Sequence, residues 1–145
     1  MNAMPIGSQQ KIAETQKQLY LQHVSQLYSN INDWLQPESF CLKNTEIEIQ
    51  EVLGRYSVPQ LEIQTNTGEI LADIEPVGAS VLGAEGLILV KGWLDKGYIL
   101  YLGKNDSIET EGWYWEEQRL NTPPHFLNKT TFLQLITWVS DYEFD

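Results

Sequence analysis

The sequence predicts an α+β fold in which a long N-terminal helix and a C-terminal helix pack on the same face of an antiparallel, five- to six-stranded meander sheet. Three observations predict it. Apolar residues recur at three- and four-residue spacing near the N-terminus, they alternate with polar residues in short central runs, and the helical spacing returns near the C-terminus. The 145 residues suffice for one domain with a core.

The first helix is predicted from Ser8, which is expected to be its N-cap, to about Leu35, because this segment contains no Pro or Gly. Its apolar stripe, expected to be buried, consists of Ile12, Leu19, Val24, Leu27, Ile31, Trp34 and Leu35. Residues 1–7 are predicted to be a disordered tail, and residues 8–145 a single domain. The sequence does not distinguish Met1 from Met4 as the native start.

The strands are predicted where apolar and polar residues alternate between turn residues, at 45–52, 58–65, 69–75, 87–94, 97–103 and 113–118. Asn66-Thr67-Gly68 is typical of a tight hairpin turn, whereas Gly54-Arg55-Tyr56-Ser57 is predicted to be a loop. In the last strand, Trp113 and Trp115 share one face and are expected to pack against a helix.

The last helix follows a stiff connector, Pro123-Pro124. Asn128 or Thr130 is expected to cap it, and it is predicted to run to about Tyr142. Its apolar face consists of Phe132, Leu135, Ile136 and Val139. Both helices therefore have one apolar side to bury against the sheet.

The charge is strongly acidic, with 20 Asp and Glu against 9 Lys and Arg, a formal net charge of −11. This balance argues against binding to nucleic acid and to anionic membranes. No apolar run approaches the ~20 residues that span a bilayer, and the N-terminus lacks the cationic and apolar regions of a signal peptide. With Cys41 as the single cysteine, we expect a cytoplasmic protein.

Residues with catalytic chemistry are few, and we predict that the protein is not an enzyme. His23 and His125 lack the spacing of a metal site, so neither a metal nor a cofactor is expected. Cys41 lies between two apolar residues, a setting that favours an inert thiol. The glycine-rich segment 78–86 lacks the Lys-Ser/Thr end of a phosphate-binding loop, so its glycines are expected to serve backbone conformation.

A resemblance to a known class adds to this interpretation. The segment Gly68-Glu69-Ile70-Leu71-Ala72-Asp73-Ile74-Glu75-Pro76-Val77-Gly78, the following Gly83-Ala84-Glu85-Gly86 and the Trp113-Tyr114-Trp115 strand resemble bacterial immunity proteins of polymorphic toxin systems. The likeness extends over residues 45–145. It implies a non-catalytic cytosolic protein that binds one cognate toxin and blocks its active site or an essential surface. It supplies no catalytic or partner-contact residues.

The predicted partner-binding residues are acidic and form two groups. The first lies on the outward face of the sheet (Glu46, Glu48, Glu62 and Asp73), and the second lies near the aromatic strand (Glu109, Glu111, Glu116 and Glu117). Such residues would attract a basic protein, for example a nuclease toxin. Acidity that serves only solubility would give the same charge count.

Two other functions stay open. One is a small-ligand-binding or enzymatic domain with a pocket between the sheet and the N-terminal helix. The other is a subunit of an assembly that docks through the first helix. The sequence predicts no oligomeric state.

Overall fold

The computed structural model describes residues 6–36, 40–81, 83–116 and 122–144. Its elements are, in order, α1 (Ile6–Leu35), β1 (Cys41–Glu51), β2 (Gly54–Gln64), β3 (Ile70–Gly78), β4 (Gly86–Lys91), β5 (Lys96–Leu102), β6 (Gly112–Glu116), β7 (His125–Phe126) and α2 (Lys129–Ser140). The predicted α+β class is confirmed. Within these residues the strands form one antiparallel sheet of seven strands in sequence order, one more than predicted, because a two-residue strand follows the double proline.

Helix α1 begins at Ile6, so Ser8 is not its N-cap and residues 6 and 7 do not belong to a tail. The rest of the predicted tail, residues 1–5, lies outside the described residues. In the second half of the predicted stripe, Val24, Leu27, Ile31 and Leu35 are buried and Trp34 is half-buried, whereas Ile12 and Leu19 are 45% and 47% exposed. The buried stripe instead begins at Tyr20, whose hydroxyl donates a 2.7 Å hydrogen bond to the carbonyl of Leu87. From residue 10 to Leu19, α1 therefore adds no fully buried side chain to the core.

The hairpin of β1 and β2 is longer than predicted. Gly54 has a φ of 113°, so this one residue provides the left-handed conformation that the turn requires. Arg55, Tyr56 and Ser57, which were predicted to lie in a loop, pair with β1. Strand β1 also begins four residues earlier than predicted, at Cys41.

The ladder between β2 and β3 ends at the pair Leu61 and Ile74. Two residues further along, Pro59 and Pro76 would be opposite each other, and neither has an N–H to donate. Beyond this point, hydrogen bonds to the Glu51 carboxylate replace backbone pairing between the strands. The carboxylate accepts from the N–H groups of Ala79 and Ser80 at 2.8 and 2.9 Å. It also accepts one from the hydroxyl of Tyr56. A side chain thus joins the hairpin to the end of β3.

Helix α2 has the predicted N-cap, Asn128, which forms a capping box with Thr131. The helix ends at Ser140, two residues before the predicted end. The Val139 carbonyl in its last turn accepts hydrogen bonds from the N–H groups of Leu94 and Asp95, at 2.9 and 3.0 Å. The β4–β5 turn is thereby fixed to the C-terminal end of α2.

Both helices lie on one face of the sheet, which we call the covered face. Ile74, Ile88, Val90 and Ile99 point to it and are fully buried. Trp113 and Trp115 point to it as predicted, at 7% and 4% exposure. No described helix lies on the opposite side, which we call the open face.

Candidate functional site

The open face is divided into a polar half and an apolar half. Strand alternation places there the neighbours of the buried residues of the covered face. The polar half, on β1–β3, consists of Lys43, Thr45, Gln60, Glu62, Asp73 and Glu75. The apolar half, on β4–β7, consists of Leu87, Leu89, Tyr98, Leu100, Tyr114 and Phe126. Most of these apolar side chains are half-buried among themselves although no described helix covers them.

Two predicted acids, Glu62 and Asp73, are cross-strand neighbours in the polar half. Burial raises the pKa of the Asp73 carboxyl, and the negative charges of Glu62 and Glu75 raise it further. Lys91, opposite Asp73 on β4, partly offsets this effect and forms a 3.2 Å ion pair with Glu75. This part of the sheet therefore concentrates negative charge at an electrostatic cost to the folded state.

Two other predicted acids, Glu46 and Glu48, are exposed on β1 and alternate with the half-buried Ile47 and Ile49. Glu48 forms a 3.3 Å ion pair with Arg55, in which both side chains are about 60% exposed. Both acids are exposed, but on β1 they alternate with Lys43 and Thr45, whose cross-strand partners are Glu62 and Gln60. They therefore do not share a face with Glu62 and Asp73, and the prediction of one outward face for all four is wrong. They lie nearer the hairpin turn than Glu62 does.

The second predicted group is less compact. Glu116 ends β6 opposite Tyr98, on the open face, and Glu117 lies outside the described residues. Glu109 and Glu111 are exposed in the loop that precedes β6. The structure therefore does not gather the predicted acids into one surface. It gives a cross-strand pair in the polar half and an acidic loop at the far end of the sheet.

The acidic loop borders a cavity of about 240 Å³ between α1 and the strands β5–β7, which we call the aromatic pocket. Its lining includes the side chains of His23, Asn30, Trp34, Tyr101, Glu111 and Trp113. The His23 ring stacks on the Tyr101 ring at 3.7 Å and 7°, and the Trp113 ring meets Tyr101 edge-on at 5.3 Å. Trp113 also donates a 3.1 Å hydrogen bond from its indole N–H to the carbonyl of His23. The walls are therefore fixed by packing and a hydrogen bond.

Charge in the pocket comes from Glu111, whose carboxylate lies near the Tyr101 hydroxyl. Burial, together with the negative charge of Glu111, raises the pKa of Tyr101 to about 12, so the phenol stays protonated at neutral pH. Burial also lowers the pKa of His23, which favours the neutral ring. The Nδ1 atom of His23 is buried and has no hydrogen-bond partner in the described part of the chain.

A second cavity, of about 190 Å³, lies on the other side of His23 between α1 and the glycine-rich segment. Glu85 and Ser80 contribute to its wall, and an acidic wall is unsuited to phosphate. Gly83 has a φ of 82°, and a Cβ at Gly78 would lie 2.6 Å from the Glu51 carboxylate. Gly83 therefore has the conformational role that was predicted, whereas Gly78 leaves room for the Glu51 side chain.

The described residues contain no group of His, Cys, Asp and Glu arranged to hold a metal ion. Cys41 is exposed at the start of β1, so the apolar setting predicted for it is wrong: its neighbours Phe40 and Leu42 turn toward the core while Cys41 points away. In the described part of the chain, no helix combines the length and apolarity required to cross a membrane.

The apolar half was not predicted, and neither were the residues that line the aromatic pocket. A signal for the first is present in the sequence, because Leu87–Val90 and Tyr98–Leu102 contain no charged residue and therefore present apolar side chains to both faces. The pocket left no such signal. Its walls come from segments about 80 residues apart, His23 on α1 and Tyr101 on β5, and they meet only when the helix packs on the sheet.

Compared with protein-family models, with curated proteins and with solved structures, the chain gives no match.

Proposed function

We propose that this protein is a non-catalytic cytoplasmic inhibitor that binds a basic protein, a bacterial toxin, and occludes it through the open face of the sheet. The observation that carries the proposal is the composition of that face. An apolar area with two tyrosines and a phenylalanine lies beside a cross-strand pair of carboxylates. Interfaces combine apolar, aromatic centres with polar rims in this way.

The apolar half would supply most of the binding free energy. Tyr98, Leu100 and Leu89 are neighbours across β4 and β5, and each is half-buried before any partner binds. Tyr114 is already held, because its hydroxyl donates a 2.6 Å hydrogen bond to the Thr110 carbonyl and its ring meets Phe126 edge-on at 5.3 Å. Side chains that are ordered beforehand lose little conformational entropy on binding.

Charge would select the partner. The open face carries lysines as well as acids, so its own charge is nearly balanced, but the whole chain has a net charge of −11. Such a field speeds the approach of a basic protein and repels an acidic one. A cationic partner would also relieve the repulsion among Asp73, Glu62 and Glu75. The association rate would then depend on the salt concentration, and the dissociation rate would depend on the apolar contacts.

The resemblance to immunity proteins supports a toxin as the partner. A nuclease toxin needs a basic groove for its substrate, and an acidic protein can compete for that groove without any chemical step. One molecule of inhibitor would then block one molecule of toxin.

A small-ligand function receives less support. The two cavities that flank His23, of about 190 and 240 Å³, do lie between the sheet and α1, as that alternative predicts. Both are smaller than the ~300–1,000 Å³ of typical sites for drug-sized ligands. They have room for one side chain or a very small molecule.

The test begins with the product of the neighbouring gene, expressed with and without this protein. We expect it to be toxic alone and harmless in coexpression, and to form a one-to-one complex. The double reversal Glu62→Lys with Asp73→Lys should weaken that complex at least tenfold at low salt. The matched control reverses Glu14 and Asp33, exposed on α1 away from the open face, and should change affinity far less. Equal effects of the two double variants, or a neighbour that is harmless alone, would overturn the proposal.

A further inference from the structure

We infer that the aromatic pocket receives the guanidinium group of an arginine side chain from the bound partner, held between the aromatic walls and the Glu111 carboxylate. This inference rests on the proposed function and gives that function a specific anchor. The pocket is built from α1, β5, β6 and the acidic loop, so it lies at the end of the molecule where Phe126 joins the open face to the cavity.

The walls match the faces of a guanidinium ion. Trp34, Tyr101 and Trp113 all line the cavity, and an arginine side chain stacks favourably on such rings. Tyr101 and Trp113 are only 8% and 7% exposed and are mutually packed, so they cannot turn away to fill the space themselves. The two rings thus form a rigid aromatic wall of the pocket.

The polar groups match its edges. A guanidinium ion offers five N–H donors and no acceptor, so it requires carboxylate, amide or imidazole acceptors around it. Glu111 supplies an exposed carboxylate in the pocket lining. Asn30 supplies an amide oxygen that accepts one 3.2 Å hydrogen bond from the Gln26 side chain and has a second lone pair to offer. The Nδ1 atom of His23 is buried without a partner in the described residues. The carboxylate and the amide oxygen can therefore accept from the N–H groups of a guanidinium ion.

The electrostatic setting also favours a cation. The second cavity on the far side of His23 has Glu85 in its wall. The loop beside the pocket carries Asp106, Glu109 and Glu111 against Lys104 alone. Because burial lowers the pKa of His23, this ring stays neutral at neutral pH and does not repel a positive charge. The volume of about 240 Å³ fits one extended side chain.

The experiment is a titration of the purified protein with N-acetyl-argininamide, followed by calorimetry and by the indole N–H signals of Trp34 and Trp113 in NMR spectra. The matched ligand is N-acetyl-citrullinamide, which has nearly the same shape but no charge. We expect the arginine compound to bind and to shift both indole signals, and the citrulline compound to bind at least tenfold more weakly. A glycine peptide with one central arginine should bind at least as well as the free amide.

The matched variants are Glu111→Gln and Glu109→Gln, which remove the same charge from the same loop. Both side chains are exposed, so thermal unfolding should be nearly unchanged in either variant. Glu111→Gln should weaken arginine binding roughly tenfold or more, since a hydrogen bond to a charged group is lost, and Glu109→Gln should not. Equal binding of the two ligands, equal effects of the two variants, or binding of the free amide but not of the peptide would overturn the inference. The titration needs no partner protein, so its outcome is separate from the failure or success of the proposed function.

Discussion

The two faces of the sheet are built from the same strands but do different work. On β5, Ile99 points to the covered face and is fully buried under the helices, whereas Leu100 points to the open face and is half-buried, with no described helix over it. Both residues are apolar, so composition alone does not separate them. The two side chains differ in what covers them. The covered face therefore determines the stability of the fold, whereas the open face is available to the proposed partner.

The largest expected effect is on the free energy of unfolding, and it distinguishes the two faces of β5. Ile99→Ala should lower the free energy of unfolding by about 4 kcal/mol, because it leaves a cavity in the core. Leu100→Ala should lower it by about 1 kcal/mol or less, since that side chain already contacts solvent. Urea denaturation of the two variants measures both. Equal losses would show that the open face contributes as much to stability as the core does, and the proposed difference between the two faces would be wrong.

The next effect concerns the hydrogen bonds through which Glu51 connects the β1–β2 hairpin to the end of β3. Glu51→Ala removes the acceptor of the Ala79 and Ser80 N–H groups and of the Tyr56 hydroxyl, and should destabilise the protein by about 2 kcal/mol. Glu48→Ala is the matched control on the same strand. Its exposed ion pair with Arg55 should contribute about 0.5 kcal/mol or less. If Glu48→Ala cost as much as Glu51→Ala, the proposed role of Glu51 would be wrong.

The smallest effect is a pH-dependent gain on the open face. The pKa of Asp73 is raised in the folded state, so ionisation of this group favours the unfolded chain. Asp73→Asn should therefore stabilise the protein at pH 7. The gain should disappear as the pH falls below the ordinary pKa of an aspartate, where both states are protonated. Thermal unfolding from pH 3 to pH 7 measures it, and a variant less stable than wild type at pH 7 would contradict the assignment.

Much of the fold follows from local signals in the sequence. Asn128 caps α2, and Gly68, with a φ of 89°, forms the tight turn between β2 and β3, because each acts on the backbone within a few residues. The predicted strand boundaries are wrong where a single residue makes a turn and where a strand is very short. Gly54 alone makes the turn that was predicted as a four-residue loop, and the short β7 is defined only by its pairing with β6.

The candidate site was less predictable, because it depends on register and on long-range packing. Alternation places Glu62 and Asp73 on one face, but only the strand register makes them neighbours. The contact between His23 and Tyr101 depends on how α1 lies across the sheet. Periodicity identifies the face of a residue and leaves its neighbour on the next strand undetermined.

If the open face binds the partner and the covered face stabilises the fold, the affinity of Leu100→Arg for the basic partner is the decisive measurement. Its matched control is Leu19→Arg, at an exposed leucine on α1 behind the covered face. We predict that Leu100→Arg weakens the complex at least tenfold while its free energy of unfolding stays within about 1 kcal/mol of wild type, and that Leu19→Arg does neither. Wild-type affinity for Leu100→Arg would contradict the account.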